Sequence, residues 1–342
     1  MNAAIENLDQ LEERLSRPTD AVVELFRRLE GDLILLGVAG KIGPSLARMA
    51  KRASDAAGRP RRVIGVSRFS NPAEATSLEA AGIETVRCDL LDEAAVAGLP
   101  DAPNVLYLAG MKFGATGNAA LTWAMNTHLP AVVCRRYAGS RIVAYSTGNV
   151  YGLTTPASGG SRETDPPEPV GEYAMSCVGR ERMFEYFSRA RGTPVAIIRL
   201  NYACDLRYGV LVDIARRVWA GEPVDLVNGW FNTIWQGDCN ATTVLALDHM
   251  ASPPFVLNLT GPELLSVREV AVEFGKRFGR EVRITGTEAR TALLSNASLC
   301  RQLFGAPQVN AAQLIQWVAE WVRQGGAHHD KPTHFETRDG RY

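Results

Sequence analysis

Three glycines spaced three residues apart, Gly37, Gly40 and Gly43, interrupt the segment LILLGVAGKIGPSLARMA. An apolar run precedes them, and an amphipathic stretch with Pro44 in its first turn follows. Strand, glycine turn and helix in that order suit a phosphate. Glycine permits the tight turn, lets backbone N–H groups approach a pyrophosphate, and lets the helix pack closely on the strand, while the helix N-terminus contributes partial positive charge. Gly37, Gly40, Lys41, Ile42 and Gly43 are therefore expected to bind a dinucleotide, against the plainer alternative of a bare glycine turn. At the end of the second apolar run stand Ser67 and Arg68, with no carboxylate until Glu74. An acid there would accept the ribose 2′-OH of NAD, whereas Arg beside a small residue accommodates the 2′-phosphate of NADP. NADP is the favoured expectation and NAD the alternative; a solvated strand-end arginine is the bland reading. Asp89, followed by Leu90, is placed to accept from an adenine amino group or simply to cap the next turn.

The elements that must position these residues follow from the apolar pattern. Short apolar runs at 32–37, 62–67, 83–88, 104–109, 141–146 and 195–200 alternate with helical stretches at 41–57, 72–81, 117–138 and 173–191. Such alternation predicts a parallel sheet buried on both faces, a doubly wound α/β fold of the Rossmann type. Before it, residues 1–30 carry a one- or two-piece helix interrupted by Pro18. After it, residues 201–326 read as a smaller substrate lobe, with helices at 209–220, 237–250, 266–278 and 310–324. Strand-like runs at 223–227, 231–236, 254–259 and 281–285 separate them, some returning to the main sheet. Residues 327–342 have no periodicity and read as an arm or strap. His328, His329, Asp330 and His334 could meet at a metal only if that tail folded over them, so no metal is expected.

Composition narrows the classes. The 342 residues carry 37 basic and 37 acidic side chains, with 46% hydrophobic and 22% charged residues. This is ordinary globular composition, and the balanced charge argues against a nucleic-acid or acidic-membrane partner. No apolar run approaches membrane-spanning length and no secretory signal is visible. Six cysteines without a CxxC pair fit reduced thiols. A soluble cytoplasmic protein is expected.

Two further segments, VAYSTGNVYG at 143–152 and EYAMSC at 172–177, lie at the fifth strand end and the start of the next helix. With GVAGKIG, CDLLD, YLAGMK, WAMNTHLP, IIRLN, WQGDCNA and LLSVREVA, they give the chain a clear likeness. It resembles the extended short-chain dehydrogenase/reductase superfamily, in particular the NAD-dependent epimerase/dehydratase family that includes UDP-galactose 4-epimerase, over roughly residues 30–326. The resemblance implies that Tyr173 passes a proton while hydride moves between a substrate carbon and the nicotinamide. It implies that Thr147, with Ser146 beside it, hydrogen-bonds the reacting oxygen, and that Asn149 lies near substrate. Leu108, Ala109, Gly110, Lys112, Asn126, Tyr173 and Asn201 would contact the cofactor. It also implies a homodimer built on the helices matching 117–138 and 173–191, with Met183, Phe184 and Phe187 as candidate contacts or as core.

The sequence departs from that pattern at Cys177, where the family motif YxxxK has lysine. Moving a phenol from about 10 to about 7 takes roughly 4 kcal/mol of differential stabilisation, which a neutral thiol does not supply. Lys112, Arg180 or Arg182 could supply it; Cys177 itself reads as a small core residue or a nucleophile. The diphosphate-clamping Arg of nucleotide-sugar members is also missing, with Phe231 and Asn232 in its neighbourhood. Tyr202 and Arg207, after the sixth strand, are polar enough for a sugar or sugar acid, although Arg207 could equally pair with Asp205. Trp230, Phe231 and Trp235 could stack on a sugar or enter the core. Gly148 and Asn149 replace the acid pair of a dehydratase. The expected activity is NAD(P)-dependent oxidation or epimerisation at a hydroxyl or carbonyl of a small carbohydrate, sugar acid or sugar derivative. The alternative is a dinucleotide-binding sensor or scaffold in which Cys177 has cost catalysis.

Overall fold

Fully apolar strands can be buried only if both faces of their sheet are covered. In the computed structural model, which describes residues 4–112 and 114–341, β1 (Leu33–Leu36) is buried along its whole length at the centre of such a sheet. Residues 1–3, Phe113 and Tyr342 lie outside the description, so the first residues of the N-terminal extension and the last of the tail are not described. The other strands are β2 (Val63–Ser67), β3 (Glu84–Arg87), β4 (Asn104–Tyr107), β5 (Arg141–Thr147), β6 (Val195–Leu200) and β7 (Phe255–Leu259). All pair in parallel in the order β7-β6-β5-β4-β1-β2-β3. The run at 254–259 thus returns from the lobe as the seventh strand. β3, at the opposite edge, is largely exposed, which corrects the expectation that every strand is buried on both faces.

The sheet order reverses between β1 and β4, and ligands of such folds bind beyond the carboxyl ends of the strands at that point. Helix Gly43–Ala56 follows β1. The helical stretch expected at 117–138 is an α-turn at Ala119–Trp123, a π-turn at Ala124–His128 and an α-helix at Leu129–Arg136. Helix Gly171–Arg191 packs against it and against the turn that follows β5.

The N-terminal extension forms two helices, Leu8–Leu15 and Asp20–Arg28, capped by the side chains of Asn7 and Thr19. Pro18 falls in the break between them. The lobe packs helices Val210–Ala220, Val267–Phe278 and Ala311–Arg323 together around its own apolar cluster. The tail folds back on this lobe: Phe335 is 2% exposed, and Arg338 donates to Asn228 Oδ1 at 2.6 Å and to the Thr291 carbonyl at 2.6 Å. Of the arm and the strap expected here, it is an ordered strap, because it carries its own apolar anchor and hydrogen bonds.

Candidate active site

The glycine turn is built by close backbone approach. Gly37 has φ 91°, and a Cβ there would lie 2.8 Å from the Ala109 nitrogen. A Cβ on Gly43 would lie 2.1 Å from the Val38 oxygen. Gly40 differs: a Cβ there would meet nothing nearer than the Gly37 oxygen at 3.4 Å, so it borders open space. The helix after it begins at Gly43 with Ile42 in the cap position and no side-chain cap, as a phosphate-binding N-terminus does. Beside the turn lies a cleft of about 400 Å³ whose wall includes Gly37, Gly40, Ser67, Arg68, Asp89, Leu90, Leu108, Ala109 and Gly110. Most of the expected cofactor residues are therefore brought together, and this donor set fits a dinucleotide. Glu74 lines the same cleft, so a carboxylate stands nearer the strand end in space than in sequence. Asp89 also accepts from the Leu91 N–H at 3.0 Å, the capping role considered for it.

Lys41 turns its ammonium 3.2 Å from the centre of the Tyr208 ring. Burial, then the charges of Lys112 and Lys331, pull it down to about 7. Lys112, half-buried after β4, donates to the Thr333 carbonyl at 3.3 Å, and burial pulls it down to about 8. Its ammonium lies 5.9 Å from the centre of the Tyr173 ring.

Tyr173 is 8% exposed, on the first turn of its helix. One turn on, Cys177 is fully buried and packs in one cluster with Val150, Tyr151 and Tyr173. Burial pushes the thiol up, with Arg180 and Lys112 opposing it. A buried thiol held protonated is a core residue, not a nucleophile. Arg180, another turn along and 6% exposed, donates to the Tyr145 carbonyl at 2.9 Å and to Asn126 Oδ1 at 2.5 Å, and is held protonated by Cys177, Tyr107, Tyr173 and Glu181 against its burial. Arg182 instead pairs on the surface with Glu185 and is removed from the list of substitute cations.

Asn126 accepts from Met111 N–H and Arg180 and donates to the Met111 carbonyl and Ser176 Oγ. Its amide is saturated by protein, so it braces the loop after β4 and holds Arg180; direct cofactor contact by this side chain is corrected. The same bracket explains Gly110, where a Cβ would lie 2.3 Å from Arg180 Nη2.

Thr147 ends β5 and caps the turn 148–150, accepting from the Asn149 N–H at 3.2 Å and donating to Asn149 Oδ1 at 3.0 Å. Helix Gly171–Arg191 packs on that turn, bringing Thr147 and Tyr173 to one end of the sheet. Ser146, its strand neighbour, faces elsewhere: it donates to Glu181 Oε1 at 2.6 Å, within the buried Glu181–Arg199 ion pair. Its catalytic assignment is corrected, since adjacent strand residues point to opposite faces.

Two expectations for the lobe are also corrected, and an open one is decided. Asn201 is 2% exposed and donates to Asn232 Oδ1 at 2.9 Å, bracing the lobe rather than reaching cofactor. Arg207 pairs with Asp205 at 2.7 Å and with Glu12 of the N-terminal extension at 2.6 Å, which takes it from the substrate set. Phe231 and Trp235 are core, leaving Trp230 half-buried, and Tyr202 half-buried at φ 51°. All six cysteines are buried and free. His328 pairs with Asp330 at 2.8 Å, and among the described residues no three His, Cys, Asp or Glu side chains gather as metal ligands. Lys331, on the cleft wall, was invisible in the sequence, because nothing local in a polar tail marks where it returns.

A doubly wound sheet with a glycine turn at its switch point, and a tyrosine opening the helix after β5, defines an extended short-chain dehydrogenase/reductase fold. Residues 33–227 match the model of the NAD dependent epimerase/dehydratase family, and the chain belongs to that family. No curated protein sequence matches it. Among solved structures it is similar to the UDP-glucose 4-epimerase of Thermotoga maritima with UDP-glucose, at 18% identity and TM-score 0.69, covering 86% of this chain and 99% of that one. It is similar to the Thermus thermophilus UDP-glucose 4-epimerase in complex with NAD, at 22% identity and TM-score 0.68, covering 85% and 99%. It is also similar to the dTDP-glucose 4,6-dehydratase DesIV of Streptomyces venezuelae with NAD bound, at 21% identity and TM-score 0.72, covering 86% and 97%. At these identities the likeness is one of fold.

Proposed function

We propose that the protein oxidises or epimerises a hydroxyl-bearing carbon of a small carbohydrate or sugar acid, with Tyr173 as the acid/base and a nicotinamide dinucleotide taking and returning the hydride. The observation that carries this reading is the setting of Tyr173, packed on Cys177 with the Lys112 ammonium 5.9 Å from its ring centre and the Arg180 cation one turn past Cys177. Two nearby positive charges favour the phenolate, the work the motif lysine does in the family. Tyr173 takes the hydroxyl proton as the alcohol is oxidised and returns it on reduction. Thr147 orients the reacting oxygen. Neither Gly148 nor Asn149 offers the acid needed to remove a proton from a neighbouring carbon, which disfavours dehydration.

Substrate size is read from the lobe. Phe231, near the position of the missing diphosphate clamp, is 1% exposed and packs against Phe335 of the strap, with ring centres 6.5 Å apart. An apolar seal where a diphosphate would need cations supports a substrate without a nucleotide. Exposed Arg68 at the end of β2 supports the 2′-phosphate of NADP.

The test is reduced-nicotinamide absorbance with either oxidised cofactor and a panel of sugars, sugar acids and nucleotide sugars. Tyr173→Phe is expected to lose turnover by at least ~100-fold with cofactor affinity unchanged; undiminished activity overturns the assignment. Ser67→Asp is expected to reverse the cofactor preference, and tighter binding of NAD by the unaltered protein overturns the NADP reading.

A further inference from the structure

The strap reaches the cleft between two fixed points. The His329 N–H donates to the Arg207 carbonyl at 3.2 Å. Four residues later, Thr333 donates from its N–H and its hydroxyl to the Asp213 carboxylate, at 2.8 and 2.6 Å, while its carbonyl accepts from Lys112. Between these anchors stands Lys331. It is exposed, and it lines the same cleft as Gly37 and Gly40 of the glycine turn; the other residues of that wall lie between Gly37 and Met125. Lys331 is close enough to Lys41 to depress its ammonium. Three lysines from the glycine turn, the end of β4 and the tail thus lie near one another; Asp205 and Asp213 partly offset Lys41, and Asp213 also offsets Lys112, but Lys331 alone of the three lysines is exposed and lines the cleft. The cleft is the one that fits a dinucleotide, and a pyrophosphate is the anion the glycine turn is built to hold.

We propose that Lys331 is a ligand for the phosphates of the bound dinucleotide, so that the C-terminal strap is part of the cofactor site and is tightened by the cofactor. The proposal rests on the dinucleotide reading of the cleft. Lys331 would contribute a charge-assisted hydrogen bond from outside the Rossmann domain, and Thr333, through Asp213 and Lys112, would carry the resulting order along the strap.

Calorimetric titration of the full chain with NAD⁺, NADP⁺ and ADP-ribose tests it. Lys331→Gln is expected to weaken all three by about five- to tenfold, with Lys331→Arg restoring most of the loss. The same weakening with ADP-ribose assigns the contact to the phosphates, whereas a loss confined to NADP⁺ moves it to the 2′-phosphate and overturns the pyrophosphate assignment. Inorganic phosphate binding as tightly as ADP-ribose would also overturn it, reducing the cluster to a general anion site. Hydrogen exchange gives a second readout: the amides of Thr333 and Phe335 are expected to slow on cofactor binding in the unaltered protein and not in Lys331→Gln. Unchanged affinity in Lys331→Gln overturns the inference while leaving the dinucleotide reading standing; no dinucleotide binding by the unaltered protein overturns both.

Discussion

In the proposed mechanism, Cys177 at the motif position leaves the support of the Tyr173 phenolate to another residue. Lys112 comes from the loop after β4 rather than from helix Gly171–Arg191, where the motif lysine would stand, and burial pulls its ammonium down to about 8. Its charge, and with it the support of the phenolate, is therefore present below pH 8 and lost as pH rises through it. Lys112→Met is expected to shift the limb of the pH–rate profile set by Tyr173 to higher pH and to lower the rate near neutrality. Cys177→Lys is expected to bring no gain and to destabilise by ~1–3 kcal/mol, because position 177 is fully buried beside two cations. A faster Cys177→Lys enzyme, together with an unmoved profile in Lys112→Met, would show a weakened site rather than a rewired one. The same lysines should couple cofactor binding to protons. Lys41 near 7 and Lys112 near 8 are partly neutral at pH 8, and an arriving polyanion favours their charged forms. Proton uptake on binding is expected at pH 8 and little at pH 6, where both are already charged. Calorimetry in buffers of different ionisation enthalpy measures it.

At the scale of elements, helix Gly171–Arg191 carries Tyr173 and Arg180 on one side and fastens itself to the sheet through Glu181 on another. Glu181 and Arg199 of β6 are each about 5–6% exposed; Glu181 also accepts from Ser146, and Arg199 donates to the Tyr151 hydroxyl at 2.6 Å. Every polar atom of this pair has a local partner, and removing one charge strands the other. Glu181→Gln is expected to cost ~3–5 kcal/mol, read as a lowered urea midpoint with an unchanged slope. A change within 0.5 kcal/mol would mean that the pair is not what holds the helix. The π-turn at Ala124–His128 belongs to the same arrangement, since it carries the Asn126 that grips both Arg180 and the loop of Lys112.

At the scale of the molecule, two helical segments expose large apolar side chains. Leu121, Trp123, Met175 and Tyr186 are 39%, 38%, 45% and 63% exposed, while Phe184, a candidate for the interface or the core, is buried against Tyr107. The proposed homodimer would therefore use a different row of side chains on the same helices. Light scattering is expected to show a dimer at micromolar concentration, and Met175→Glu with Tyr186→Glu is expected to yield a folded monomer. No helix among the described residues is long and apolar enough to cross a membrane.

What the sequence determined by itself is what local pattern encodes. Apolar runs, glycine spacing and helical periodicity located six strands of the sheet, the glycine turn and most of the cleft wall from Gly37 to Gly110, because backbone geometry and burial act within a few residues of the chain. The break at Pro18 was legible for the same reason. Partnerships across the chain were decided only by the tertiary structure. Whether Arg207 met a substrate or Asp205, whether Ser146 faced Tyr173 or Glu181, and that Lys331 returns across nearly 300 residues to the glycine turn all depend on which surfaces the lobe and strap bring together. A side chain's type states what it can bind. Its partner is chosen by packing, since a buried charge must be matched by whatever the fold places within reach.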